Sequence, residues 1–140
     1  MNIVDSSGWL KYFAGGPNAD NFSSPLKDSS TLIVPTISIY EVFKVILRES
    51  KESEALQAVA AMQKGKIVEV NTSIAINASK ISLQYSIPMA DSIILSTARA
   101  YNCILWTQDA DFKADYIGFW GGLRYPPKEA EMQRLCNQQS

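Results

Sequence analysis

The sequence predicts an α/β protein built as three layers, with helices on both faces of a central, mostly parallel sheet. Short apolar runs of strand length, Ile3-Val4, Leu32-Ile33-Val34 and Ile104-Leu105-Trp106, alternate with longer segments of helical periodicity. Strands separated in this way pair in parallel, because a parallel connection needs a crossover, usually a helix. A length of 140 residues with 46% apolar and 19% charged residues suits a single compact core. The domain is expected over residues 1–124, with a polar tail over 125–140.

The elements follow in order. Met1 to Asp5 is an apolar strand ending in an acid. Ser6-Ser7-Gly8 then leads into a helix carrying Trp9-Leu10-Lys11-Tyr12-Phe13, closed by Gly15-Gly16-Pro17. The polar stretch 18–30 holds a short helix around Ala19 to Leu26, and Thr31 to Pro35 is the second strand. From Ser38, Ile39, Val42, Phe43, Ile46 and Leu47 form one helical face. A further helix over Glu52 to Lys64, with Leu56, Val59, Ala60 and Met62 as its apolar side, stops at Gly65. Lys66 to Val70 reads as a strand. Thr72 caps a helix to about Tyr85 carrying Ile74, Ala78, Ile81 and Leu83, and Pro88 opens the next, to about Asn102. Cys103 to Thr107 is a buried strand, 108–112 its following turn, and Ile117 to Trp120 a last short strand.

Composition excludes several classes. Met1 to Trp9 lacks the basic start and apolar stretch of a secretory signal, and no apolar run approaches the ~20 residues of a membrane helix. A cytoplasmic location is expected, with no membrane contact. Cys103 and Cys136 stand far apart without a CxxC partner, and with no histidine in the chain they are read as reduced thiols rather than zinc ligands. The net charge of −1 offers no general basic field for nucleic acid. Divalent ions held by carboxylates would reverse that balance at the reaction site itself.

Five acids stand where chemistry is possible. Asp5 and Asp109 follow strands at their carboxyl ends, the side on which open parallel sheets bind ligands; each is equally placed to cap the helix after it. Asp91 shares its helical face with Ile87, Ile94, Leu95 and Ala98. A carboxylate within an apolar stripe calls for a cation or a metal, although its early position also suits the helix dipole. Glu41 lies opposite the apolar stripe of its helix beside Lys44 and Arg48. By pattern it is a solvated surface acid; by chemistry it is a metal ligand whose neighbouring cations receive phosphate. Thr107 and Asp111 flank Asp109 and bring a hydroxyl and a further carboxylate, Asp111 being equally suited to cap a helix over 112–116.

Four motifs occur in order: Ile3-Val4-Asp5-Ser6-Ser7, Ile39-Tyr40-Glu41-Val42, Met89-Ala90-Asp91-Ser92-Ile93-Ile94 and Trp106-Thr107-Gln108-Asp109-Ala110-Asp111-Phe112. Together they resemble the PIN domain over nearly the whole chain to about Trp120, and most closely the VapC-type toxins, the ribonuclease halves of toxin–antitoxin pairs. The resemblance places the family's acidic quartet on Asp5, Glu41, Asp91 and Asp109, adds Asp111 to the metal ligands, and makes Ser6 and Thr107 supporting residues. It implies RNA cleavage with Mg2+ or Mn2+, a homodimer, and inhibition by a cognate antitoxin. An all-oxygen, histidine-free ligand set suits those hard cations.

Lys44, Arg48, Lys11 and Arg99 are the candidate RNA contacts. Rival readings are a PIN-fold nuclease of RNA processing outside a toxin–antitoxin system, a binding module that has lost catalysis, and a phosphorelay receiver. The receiver would need an acid adjacent to Asp5 and a lysine after a late strand. A dehalogenase-like phosphatase would need an acid where Ser7 stands.

Overall fold

The computed structural model describes residues 1–15 and 22–107, together with the backbone of 123–124. Strand β1 (Asn2–Val4) leads directly into helix α1 (Ser6–Ala14). Gly15, at φ 67°, ends that helix in the left-handed conformation that glycine adopts without a steric penalty. Helix α2 (Ser23–Lys27) and a single 3₁₀ turn precede β2 (Leu32–Pro35), which passes without a loop into α3 (Thr36–Glu49). Then come α4 (Glu52–Met62), β3 (Lys66–Val68), α5 (Thr72–Tyr85), α6 (Met89–Ala100), β4 (Ile104–Trp106) and β5 (Leu123–Arg124).

The five strands lie in the order β3-β2-β1-β4-β5, and every neighbouring pair is parallel. Alternation along the strands splits the core in two. Ile3, Ile33 and Leu105 face one side, where they pack with Ile74 and Ile81 of α5 and Ile94, Leu95 and Ala98 of α6. Val4, Leu32 and Val34 face the other, against Trp9 of α1, Val42 of α3, and Ala58 and Met62 of α4. The result is the three-layer α/β arrangement. Gly8 is where α1 comes down onto this second core: a Cβ there would lie 2.6 Å from Val4 Cγ1 and 2.8 Å from Phe22 Cε1.

Several expectations change. Helix α3 starts two residues earlier than its apolar stripe implies, at Thr36, because β2 runs straight into it. Its Leu47 is 45% exposed, at the margin of the buried face. In α4 the buried side is Ala55, Ala58 and Met62, while Leu56 is 54% exposed. Small side chains allow α4 to settle closely on its neighbours, and their spacing of three and four residues is as helical as the larger set's. Leu83 of α5 is 87% exposed, leaving Ile74, Ala78 and Ile81 as the inward face. Asn71, not Thr72, caps α5, accepting a hydrogen bond from Ile74 N at 2.9 Å. The strand after β4 lies at Leu123–Arg124; the stretch 117–120, where one was expected, falls outside the described residues, as do Cys136 and the tail 125–140. Among the described residues no helix is long and apolar enough to cross a membrane.

Cys103 is buried at the start of β4, and desolvation holds its thiol above the ordinary value of 9.0. A raised folded-state value makes burial of the neutral thiol fully stabilising below the unfolded value and progressively less so as pH rises through the folded one. The stability difference between the parent and Cys103→Ala, followed by urea denaturation, should therefore shrink above about pH 9. Gly8→Ala should lower unfolding stability by about 1–3 kcal/mol through overpacking against Val4 and Phe22. An unchanged urea midpoint would mean that α1 shifts freely.

Candidate active site at the carboxyl edge of the sheet

Topology gathers helix starts on one edge. α1 and α3 each begin where a strand ends, and α6 runs back across the sheet to deliver β4, so all three have their first turns at the carboxyl ends of the strands. This is where parallel α/β sheets bind ligands. At the centre, Val4 of β1 is in register with Trp106 of β4, and the Asp5 amide donates to the Trp106 carbonyl at 3.1 Å. Asp5 and Thr107 therefore leave adjacent strands side by side.

Asp5 is only 1% exposed and is surrounded by donors. The Gly8 amide donates to Oδ1 at 2.8 Å, which makes Asp5 the N-cap of α1. The Ser7 hydroxyl lies 2.9 Å from Oδ1 and 3.0 Å from Oδ2. The Thr107 hydroxyl, itself fully buried, donates to Oδ2. Capping and a place in a carboxylate site are thus compatible at this residue, because one oxygen faces the helix and the other faces the neighbouring strand.

Glu41 is not the fully solvated acid that its helical pattern suggests. It is half-buried, and the Ser6 hydroxyl donates to its Oε1 at 2.6 Å, joining the first turn of α1 to the second turn of α3. Consecutive residues Asp5 and Ser6 thereby bring two strand-to-helix junctions together. Asp91 stands in the first turn of α6, half-buried, above the sealed Ile94, Leu95 and Ala98. Buried Ile87 before it and Ile94 after it belong to one core cluster, so the carboxylate stands within the apolar stripe as its helical face implies.

Asp109 and Asp111 lie outside the described residues. Among the described residues no three acidic or cysteine side chains are close enough to enclose one ion. What the structure brings together is Asp5 with Thr107 and, through Ser6, Glu41; Asp91 shares the edge by topology. Among the basic candidates, Lys44 is exposed and its Nζ lies 3.4 Å from the Tyr40 hydroxyl. Arg48 pairs with Glu49 at 3.3 Å on the surface. Lys11 is exposed on α1, and Arg99 is in the last turn of α6, roughly 12 Å along the helix from Asp91 at 1.5 Å per residue.

Three residues of this edge carry no signal in a reading by acid spacing. Ser7 is legible only afterwards, as a hydroxyl two positions beyond a strand-end Asp. Ser38 is a fully buried hydroxyl with no hydrogen-bond partner among the described residues, one helical turn before Glu41. Tyr40 is exposed beside Glu41.

The family profile of the PIN domain matches residues 3–115. No curated protein matches by sequence. Among solved structures, a toxin–antitoxin complex from Klebsiella pneumoniae superposes with a TM-score of 0.72 at 20% identity, covering 91% of this chain and 98% of that one. VapC20 of Mycobacterium tuberculosis, described as a sarcin–ricin loop cleaving toxin, gives 0.70 at 15% identity over 82% and 95% of the two chains. VapBC2 from Rickettsia felis, bound to a DNA fragment from its promoter, gives 0.67 at 13% over 89% and 97%. These likenesses concern the fold.

Because Asn caps a helix as well as Asp, Asp5→Asn should melt within about 1 kcal/mol of the parent, whereas Asp5→Ala should lose about 1–3 kcal/mol by stranding the Gly8 amide and the Thr107 hydroxyl. Thermal denaturation of both variants checks this. Equal losses would show that charge, not acceptor geometry, holds the junction.

Proposed function

The chain belongs to the PIN-domain family, and on that premise we propose that it is a metal-dependent endoribonuclease, the toxin of a toxin–antitoxin pair, acting through the carboxylates of the sheet's carboxyl edge. The observation that carries the reading is the junction itself. A buried Asp5 and a half-buried Glu41, from two different strand ends, are held through consecutive residues by neutral donors. Membership in this family leaves no place for the receiver reading.

The donor set fits a hard divalent ion. Asp5, Glu41 and Asp91 offer oxygen ligands at one edge, Asp109 stands two positions after Thr107 in the sequence, and no histidine in the chain competes for a softer metal. Mg2+ or Mn2+ would be held by Asp5, Glu41, Asp91 and Asp109, with Asp111 as a further ligand. When bound, such an ion supplies an activated water and neutralises charge on a phosphodiester.

The chain's own residues do the rest. Ser7, Gly8 and Thr107 fix the Asp5 carboxylate so that its remaining lone pairs keep one direction. Ser6 fixes one oxygen of Glu41 and leaves the other for a ligand. Both carboxylates are therefore oriented before substrate arrives, which limits the reorganisation that binding costs. Lys44 and Arg48 would receive the phosphates that flank the scissile one. The reading includes a cytoplasmic homodimer restrained by a cognate antitoxin, and it is supported by the toxin–antitoxin character of the similar structures.

Purified chain should cleave RNA with Mg2+ or Mn2+ and stop on chelation. Asp5→Asn, Glu41→Gln, Asp91→Asn and Asp109→Asn should each lower the rate about a hundredfold or more, the usual loss when one group stabilising charge in the transition state is removed. Variants that remain folded and cut as well as the parent would remove the basis of the proposal. Cleavage of single-stranded DNA in preference to RNA would redirect it.

A further inference from the structure

The aromatic side chains of the described residues are buried or half-buried with one exception: Tyr40, which is 59% exposed. It immediately precedes Glu41 on α3. Its ring is met by Lys44, whose Nζ lies 5.5 Å from the ring centroid and 3.4 Å from the hydroxyl. At 100° per residue Lys44 falls between Tyr40 and Glu41 around the helix, one turn on, with Arg48 a further turn along the same strip. A flat apolar surface, a cation held against it and a carboxylate beside the cation thus form one continuous track leading to the candidate site.

Leaving an aromatic ring of this size in water forgoes burial. A nucleobase would cover it, because any base can stack on a tyrosine face, and the ammonium beside the ring would meet the phosphate of the same nucleotide. Stacking requires a base that is free of its partner. From this geometry we infer that Tyr40 and Lys44 form a platform for one unpaired nucleotide next to the bond to be cut. The inference rests on the nuclease reading and adds the residues that hold the nucleotide beside the site. Leu47, seven residues beyond Tyr40 on α3, is also exposed, so a protein occupant of the same face is the competing outcome.

Binding is measured by fluorescence anisotropy with the full chain carrying Asp5→Asn, in Mg2+, against a short single-stranded RNA, the same backbone with abasic riboses, and a blunt RNA duplex. Tyr40→Leu, an exposed change that preserves the helix, should weaken single-strand binding about tenfold while Tyr40→Phe stays within about twofold, as expected for loss and retention of one stacked base. Neither change should alter binding of the abasic strand or the duplex. Lys44→Gln should reduce the slope of log affinity against log salt by about 0.7, one phosphate contact on a single strand.

Unchanged single-strand binding by Tyr40→Leu would overturn the platform, as would an equal loss on the abasic strand or a change in the oligomeric state of that variant in gel filtration. Cleavage by the chain with Asp5 intact separates the two claims. If it cuts RNA and Tyr40→Leu binds normally, only the platform falls. If it cuts no RNA, the nuclease reading falls and the platform with it.

Discussion

The Asp5 carboxylate is the constraint around which this edge of the protein is organised. Its own amide ties β1 to the end of β4, Oδ1 caps α1, and Oδ2 receives the hydroxyl of the residue that follows β4. A group only 1% exposed has left water and must recover its hydrogen bonds from the protein. The donors named here are neutral: an amide and two hydroxyls. They satisfy lone pairs and fix the direction of the carboxylate without themselves cancelling its charge.

Parallel topology extends the arrangement to residues distant in sequence. Each strand-to-helix junction delivers its first helical turn to the same edge, so Ser6 and Glu41, 35 residues apart, meet at 2.6 Å. Two cores, one on each face of the sheet, hold those junctions at fixed height. Ile37 adds to this by packing against the α5–α6 core although most of α3 faces the other one. The start of α3 is thereby wedged between the layers, and Glu41, one turn on, inherits its position.

Much of this was legible in the chain. Ile3-Val4, Leu32 to Val34 and Ile104 to Trp106 are apolar on both faces because strands inside a parallel sheet are covered on both faces, and that run is visible without coordinates. The faces of α4 and α5 were not legible to the same degree. Leu56 and Leu83 are the larger residues, and a reading by hydrophobicity includes them, but close helix packing selected Ala55 and Ala58 in α4 and left only Ile74, Ala78 and Ile81 of the expected face of α5. Glu41 was ambiguous for a related reason. Its helical pattern describes α3 alone, and what buries it is Ser6 of another helix. Asp5 illustrates the converse: helix cap and site carboxylate are competing descriptions in sequence, and the structure, with Oδ1 capping α1 and Oδ2 turned to Thr107, makes them compatible.

Under the proposed function, a site made this way would let a chain of net charge −1 act on a polyanion. Carboxylates assembled on neutral donors repel phosphate until a divalent ion is present, and then present it with a concentrated positive charge. The surrounding surface would then need only enough positive charge to guide the flanking phosphates, the role proposed for Lys44 and Arg48 on the outer strip of α3. Electrostatic selectivity then resides at one point on the sheet edge, and whatever discriminates among phosphodiesters must come from uncharged contacts beside it. The exposed ring of Tyr40 is placed to be such a contact. Weak overall charge, neutral donors beneath the acids and an open aromatic face all fit one proposed design, in which affinity would be conditional on the ion and preference set by shape.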